Sequence, residues 1–322
     1  MADNGGRITL WGIEVFVAVA EERSITAAAR RLGASPSSVS QQISNLETAM
    51  GAELMHRRER PIPLTPAGDV LMRRAQIILG EAAQVRAELA ELDPTQLSQL
   101  RLGMIEDFDA SVTPALLSSM AGALKSTQFQ LETGPSHRLL DRLDTRLLDV
   151  VVAADMGAVP SWMERAPLLD DPFVAVVPKG FVAAGEPLDP QALRRLPLIQ
   201  YTQRHVMGRV IASHLEAQDV ALSHRFELDS YRAILAMVAG GAGWTILSAL
   251  GVDHAHRFLD RIEVLALPFA PLKRTISLGV RRDGLAETGA RIAADLRPLL
   301  QELVVAPNVA RHPFLAGALR VL

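Results

Sequence analysis

Residues 24–51, SITAAARRLGASPSSVSQQISNLETAMG, constrain this chain more than any other stretch, because they read as two short helices joined by a tight turn. Ser24 is a good N-cap for a helix over about 25–32, which Gly33 stops. Ser35 is a second N-cap, and Pro36 stands at the first helical position, where its missing N–H is no loss. In the second helix Val39, Ile43, Leu46 and Met50 recur at i, i+4, i+7 and i+11, a stripe that must be buried. Ser37, Ser40, Gln41 and Ser44 fall on the opposite face, which is polar yet almost uncharged. A merely solvated face usually carries Lys and Glu; small hydroxyls and an amide suit a helix lying against base edges and phosphates in a major groove. Pro36, Ser37, Ser40 and Gln41 are therefore candidate DNA contacts, with an ordinary helical hairpin as the competing reading.

The flanking residues extend this unit. Thr9 can cap a helix over 10–22 whose Ile13, Phe16, Val17 and Ala20 share one face and cover the hairpin. After Gly51, Pro61 and Pro63 forbid helix, and Arg57, Arg58 and Arg60 flank a short turn between two extended pieces. That is a β-wing, with Arg57 and Arg58 placed to reach phosphates or a minor groove; a solvated basic loop is the alternative. From Thr65-Pro66 a long helix carries Leu71, Ala75, Ile78, Ala82, Val85, Leu89 and Leu92 at alternating steps of four and three. This 3.5-residue period is a coiled-coil seam, roughly 40 Å long at about 1.5 Å per residue. The seam predicts a homodimer; a helix packed on its own globular body is the alternative.

Composition removes whole classes of function. The 322 residues suit two or three domains, and 49% hydrophobic with 21% charged residues describes a globular chain. There is no cysteine, which excludes disulfides, thiolate catalysis and Cys-ligated metal, and suits a reducing cytoplasm. No run approaches the ~20 apolar residues of a membrane span, and the polar start carries no secretory signal. Net charge is −3, so DNA binding must rest on local placement of charge, as in the arginine cluster of the wing.

Beyond a helix break expected at Asp93-Pro94 the pattern changes. Short apolar runs at 100–104, 129–133, 150–153, 173–177, 198–200, 226–228, 244–247, 262–267 and 275–280 read as strands. Helical patterns at 114–124, 136–147, 207–218 and 231–238 lie between many of them, and a last helix covers about 287–304. This alternation predicts α/β architecture with largely parallel sheets. The tail 306–322 has no assignment.

The runs FVAVAEERSITAAARRL, SPSSVSQQISNLE, and GAEL followed by Arg57, Arg60 and LTPAG resemble the LysR-type transcriptional regulators of bacteria. GGAGWTILS looks like the glycine turn near the end of that family's second lobe. Met55 stands where the family usually has Phe, and Gln41 where relatives often have Arg, which bears on the operator sequence. The resemblance, over residues 8 to about 303, implies an α plus α/β chain. A winged helix-turn-helix (1–68) is followed by a linker helix (69–92) and a two-lobed effector domain of periplasmic-binding-protein type (93–305). Its lobes are about 93–171 plus 269–305, and 172–268. Double-stranded DNA with an imperfect inverted repeat, a small-molecule effector, a second copy of the chain and RNA polymerase are the implied partners, and a dimer of dimers the implied assembly.

No catalytic or cofactor motif competes. Gly240-Gly241-Ala242-Gly243 lacks dinucleotide spacing and follows a helix, and Asp253-His254-Ala255-His256 has no usual metal spacing. No enzyme activity, cofactor or metal is expected; a solute-receptor-like binding protein is the alternative function. Mapped from the family, the effector cleft takes Ile105, Glu106, Asp107, Phe108, Thr133 and Ser136 from the first lobe. The second lobe gives Tyr201, Thr202 and Gln203, with Ser230 and Trp244. Relatives commonly have Ser or Thr at the position of Asp107, beside which an anion would be repelled. An amine, amide or polyhydroxyl effector held by Asp107 and stacked on Phe108 or Tyr201 is the expectation, against a helix-capping role for Asp107. The runner-up is an anion paired with Arg204, His205 or Arg138.

Overall fold

A computed structural model of the chain describes residues 7–91, 99–183, 186–218, 220, 224–253, 257–283 and 285–322. Leu92, Asp93-Pro94, His254 and His256 fall outside these. The chain forms two compact units.

The N-terminal unit contains α1 (Leu10–Glu22), α2 (Ile25–Arg31), α3 (Pro36–Met50) and α4 (Pro66–Glu91). Each starts at a side-chain cap. Thr9 Oγ1 accepts from Gly12 N at 3.0 Å, Ser24 Oγ from Ala27 N at 3.3 Å, Ser35 Oγ from Ser38 N at 3.1 Å, and Thr65 Oγ1 from Gly68 N at 3.0 Å. Such caps satisfy N–H groups that a helix start leaves bare, at roughly 1 kcal/mol each. Gly51 ends α3 in the left-handed region at φ 65°, which glycine reaches without Cβ strain. Ile13, Phe16 and Val19 of α1 meet Val39, Ile43 and Leu46 of α3 in a fully buried core. Burying each of these side chains contributes about 1.5–3 kcal/mol.

The wing is a single antiparallel bridge between Met55 and Leu64. In α4 the seam divides. Leu71 and Ala75 are buried in the core of this unit, whereas Ile78 and Val85 are 39% and 56% exposed. The expected dimer seam thus loses its first two positions to the unit's own packing, because the start of α4 also closes the hairpin. Of the other seam positions, the side chains of Ile78, Ala82 and Val85 are described, and that of Leu89, like Leu92, lies outside the described residues.

The C-terminal unit has two lobes. The first contains β1 (Gln99–Met104), α5 (Val112–Ala123), β2 (Gln128–Thr133), α6 (Ser136–Asp144) and β3 (Val150–Ala154). Then β4 (Met163–Pro178) runs from the first lobe into the second. The second lobe contains α7 (Pro190–Leu193), β5 (Leu198–Tyr201), α8 (Val206–Glu216), β6 (His224–Leu228), α9 (Tyr231–Ala239), β7 (Thr245–Ser248), α10 (Ala249–Val252) and β8 (Ile262–Ala266). The chain returns to the first lobe with β9 (Lys273–Arg281) and α11 (Ala286–Leu300), then α12 (Ala306–Arg311) and β10 (Arg320–Val321).

The first sheet has the order β10-β4-β9-β3-β1-β2, parallel over β3-β1-β2 and antiparallel elsewhere. In the second sheet β7 and β8 flank the end of β4 antiparallel, while β5 and β6 are parallel. A parallel bridge from Leu198 to Trp244 joins the two parts. The expectation of largely parallel sheets is therefore corrected: β4 has only antiparallel neighbours, since a strand shared by both lobes is paired by segments that turn back on it. Its first half was also not foreseen. The sequence pattern begins this strand at 173, yet Asp170 and Asp171 lie within it, buried and paired with Lys273 and Arg274 of β9. The unassigned tail forms α12 and then β10, which pairs with Leu169 and Asp170 of β4. None of the described helices is long and apolar enough to cross a membrane.

Candidate functional site

On α3 the polar face stays open. Pro36, Ser37 and Gln41 are exposed and Ser40 half-buried. Gln41 Nε2 donates to Asn45 Oδ1 at 2.9 Å, which orients its amide along the helix. The wing arginines are not equivalent. Arg57 is half-buried: its guanidinium pairs with Glu47 and donates to Ser44 Oγ at 2.8 Å. Glu47 also accepts from Leu54 N at 2.9 Å, so Arg57 and Glu47 tie the wing to α3. Arg57 is thereby corrected from a free phosphate-reaching side chain to one that fixes the wing. Arg58 is exposed and makes no ion pair among the described residues.

In the C-terminal unit a cavity of about 410 Å³ opens between the lobes. The first lobe lines it with Ile105, Glu106, Asp107, Ser136, His137, Asp155 and Met156. The second lobe supplies Phe173, Tyr201, His205, Met207, Val210, Asp229 and Tyr231, and Arg274 lies where β9 begins. The His137 and His205 rings meet across it at 5.9 Å, and on the second-lobe side His205 lies 5.8 Å from Tyr201 and Tyr201 5.4 Å from Tyr231.

The cavity's charge is organised by Arg274. Its Nη2 donates to Asp107 Oδ1 at 3.1 Å and its Nε to Asp171 Oδ2 at 2.8 Å. Asp171 Oδ1 accepts in turn from Leu250 N at 3.2 Å. The side chains of Asp107 and Asp171 are 5% and 0% exposed. Burial opposes the charge of Arg274, yet Asp107 and Asp171 hold it protonated well above the ordinary arginine range. Burial pushes Asp171 up, Arg274 pulls it down, and Asp107 adds repulsion; the net direction is upward, as expected when two buried acids share one cation. The Tyr201 hydroxyl is pushed up to about 12, by burial first and then by the negative charges of Asp107 and Glu106.

Of the cleft residues expected from sequence, Ile105, Glu106, Asp107, Ser136 and Tyr201 line the cavity. The others do not. Phe108 and Trp244 are fully buried in the interior of the unit. Thr133 is exposed and outside the lining. Thr202 is buried and donates to Glu227 at 2.6 Å, and the Gln203 backbone donates to the same carboxylate at 3.2 Å while its side chain is exposed. Asp107 neither stands free for an amine nor makes a helix-cap hydrogen bond. Arg204 is exposed and lies outside the lining, as does Arg138, which faces Glu132 at 3.5 Å. Sequence reasoning missed Arg274, Asp171, Asp229 and Tyr231. The pair Asp170-Asp171 inside an apolar run was the readable sign, because buried carboxylates require a cation.

The loop from Tyr201 to His205 is held by a close approach. A Cβ on Gly208 would lie 2.1 Å from the Thr202 carbonyl oxygen. Gly208→Ala is expected to cost about 2 kcal/mol or more, since the backbone must shift. It should also disturb Tyr201 and His205; thermal unfolding of the variant checks the first effect.

Residues 10–69 match the family described as bacterial regulatory helix-turn-helix protein, lysR family, and residues 95–296 match the LysR substrate binding domain. The chain belongs to the LysR family of bacterial transcriptional regulators. It is 32% identical over 264 residues to a probable hydrogen peroxide-inducible genes activator of Mycobacterium avium, covering 79% of this chain and 82% of that one. It is also similar to a full-length OxyR cysteine variant from Pseudomonas aeruginosa, with 25% identity, TM-score 0.68, and 91% and 95% of the two chains covered. CbnR complexed with its target DNA shares the fold at 20% identity and TM-score 0.64, over 91% of this chain and all of that one. This LysR-type regulator thus combines a DNA-binding domain with an effector-binding domain. Among its described residues there is no group of three or more His, Cys, Asp or Glu able to hold a metal.

Proposed function

We propose that this LysR-type regulator is switched by a small molecule bound without covalent chemistry in the cavity between its lobes. The observation that carries the reading is that cavity of about 410 Å³, lined from both lobes, in a chain with no cysteine. Its relatives are named for induction by hydrogen peroxide. A thiol-based peroxide response has no sulfur nucleophile here, and thioethers are the chain's only sulfur. Binding that draws the lobes together is the simpler input. The absence of any catalytic motif supports a regulator rather than an enzyme, and a DNA-binding partner role supports the cytoplasm. RNA polymerase is the further partner of this reading.

A thermal-shift screen of the full chain against metabolites tests it, with Val210→Trp as the control that fills the cavity. Shifts that vanish in Val210→Trp support the reading. Sensitivity to peroxide with no ligand of any class would overturn it.

The DNA reading has its own test. Pro36, Ser37, Ser40 and Gln41 face the groove in this proposal, Arg58 reaches a phosphate, and Arg57 holds the wing that carries Arg58. Gln41→Ala is expected to relax sequence preference at one base pair, by about 1–3 kcal/mol of discrimination. Arg58→Ala should weaken all sequences alike and lower the salt slope by about one. Gel-shift titrations at several salt concentrations distinguish the two effects, and wild-type affinity and slope in both variants would sink the docking scheme.

A further inference from the structure

We infer that the cavity between the lobes takes an organic cation, a primary or substituted ammonium group carried on an apolar or aromatic body. Glu106 and Asp229 act as its counter-charges and the Tyr201–Tyr231 ring pair as its wall. The inference rests on the proposed ligand-bound function and names the chemistry of that same site.

The charges lining the cavity can be taken in pairs. Asp155 faces Arg165 at 3.3 Å, and Arg274 is committed to Asp107 and Asp171. Glu106 and Asp229 are left, both exposed at the cavity and neither in an ion pair among the described residues. Both line the same cavity as Tyr201, and their negative charges, with that of Asp107, raise its hydroxyl. Among the described lining residues an anion would meet this field with no free guanidinium, only the imidazoles of His137 and His205, in ring contact at 5.9 Å. Recruiting Arg274 would strip a cation from two carboxylates that are almost wholly buried, which low-dielectric surroundings penalise heavily. A cation needs no such rearrangement. It gains from the unpaired carboxylates and from the electron-rich faces of Tyr201 and Tyr231, whose centroids lie 5.4 Å apart. The sides formed by Met156, Met207 and Val210 accept the apolar body.

Arg274 then has a second part. Being already saturated, it holds Asp107 away from the ligand and leaves selectivity to the exposed carboxylates. That differs from the expectation drawn from sequence, in which Asp107 itself held the amine.

Three probes of matched shape test the charge: phenethylamine, phenethyl alcohol and hydrocinnamate, titrated calorimetrically into the full chain. Phenethylamine is expected to bind tightest, and added salt to weaken it. Glu106→Gln and Asp229→Asn should each lower amine affinity about three- to tenfold, leaving the alcohol unchanged. Both residues are exposed, so the variants should fold, and an unaltered melting curve verifies this. Hydrocinnamate binding as tightly as the amine would overturn the inference, as would an amine affinity indifferent to the double variant. In the metabolite screen, hits confined to anions and abolished by Val210→Trp would overturn the cation while keeping the ligand-controlled regulator. No hit of any charge would remove both.

Discussion

Arg274→Met is expected to destabilise the C-terminal unit by about 3–5 kcal/mol, because it leaves two buried carboxylates without their cation. Asp171 is fully buried and Asp107 nearly so, and Arg274 is the one cation paired with both among the described residues. The loss should depend on pH in a definite sense. Burial already raises the Asp171 carboxyl, and removing Arg274 raises it further. A carboxyl whose folded pKa exceeds its unfolded value favours folding while protonated, and that contribution is lost as pH rises through the folded pKa. The variant should therefore recover stability as pH is lowered toward protonation of Asp171. Adding Asp171→Asn should restore part of the loss at neutral pH. Urea unfolding at several pH values measures all of this; a pH-independent change below ~1 kcal/mol would show that the network contributes little.

Ile78→Asp is expected to break the proposed dimer and, with it, operator binding. Ile78 is 39% exposed on α4, in the part of the seam that the unit's own core leaves open. In a dimer the substitution would bury a charge against its symmetry mate, at a cost of several kcal/mol. A reader with two half-sites loses the effective concentration that one linked module gives the other, worth about 100-fold or more in apparent affinity. Sedimentation should show the wild type as dimer or tetramer at micromolar concentration and the variant as monomer. Leu71→Asp is a useful contrast. Leu71 lies in the core of the N-terminal unit, so that change should unfold the unit rather than merely separate copies. A wild type that sediments as a monomer would overturn the assembly.

The N-terminal unit was legible because its signals are local. A Ser or Thr cap, a proline at the first turn and a four-three spacing of apolar residues act within one helix. The caps and the α3 stripe form where the sequence puts them, while on α1 Val15 and Val19 are buried and Val17 and Ala20 only half-buried. The cavity was legible only in part. Tyr201 and Glu106 sit at the ends of strands that the pattern located, but the partner of Asp107 lies 167 residues away. No periodicity links Arg274 to Asp107; only the fold brings them together. The same holds for the first half of β4, whose acids are paired with Lys273 and Arg274 of a later strand. Arg57 shows the converse error. Its place in a basic cluster suggested free charge, while its partner Glu47 lay a helix away.

The short strand at the chain's end has a consequence for how copies can meet. Val321 and Arg320 lie along Leu169 and Asp170, Arg320 reaches Asp170 at 3.2 Å, and the Leu322 amide donates to the Leu168 carbonyl at 2.9 Å. One margin of the first-lobe sheet thus ends in a strand of only two residues, tied down by the Arg320–Asp170 pair. The opposite margin, β2, pairs only with β1 among the described residues, and it carries an exposed Leu131. A two-residue edge offers few free backbone groups, whereas the six residues of β2 offer a full row. Backbone pairing of this sheet with a second copy is then easier through β2, where two copies related by a twofold axis would form one closed pair.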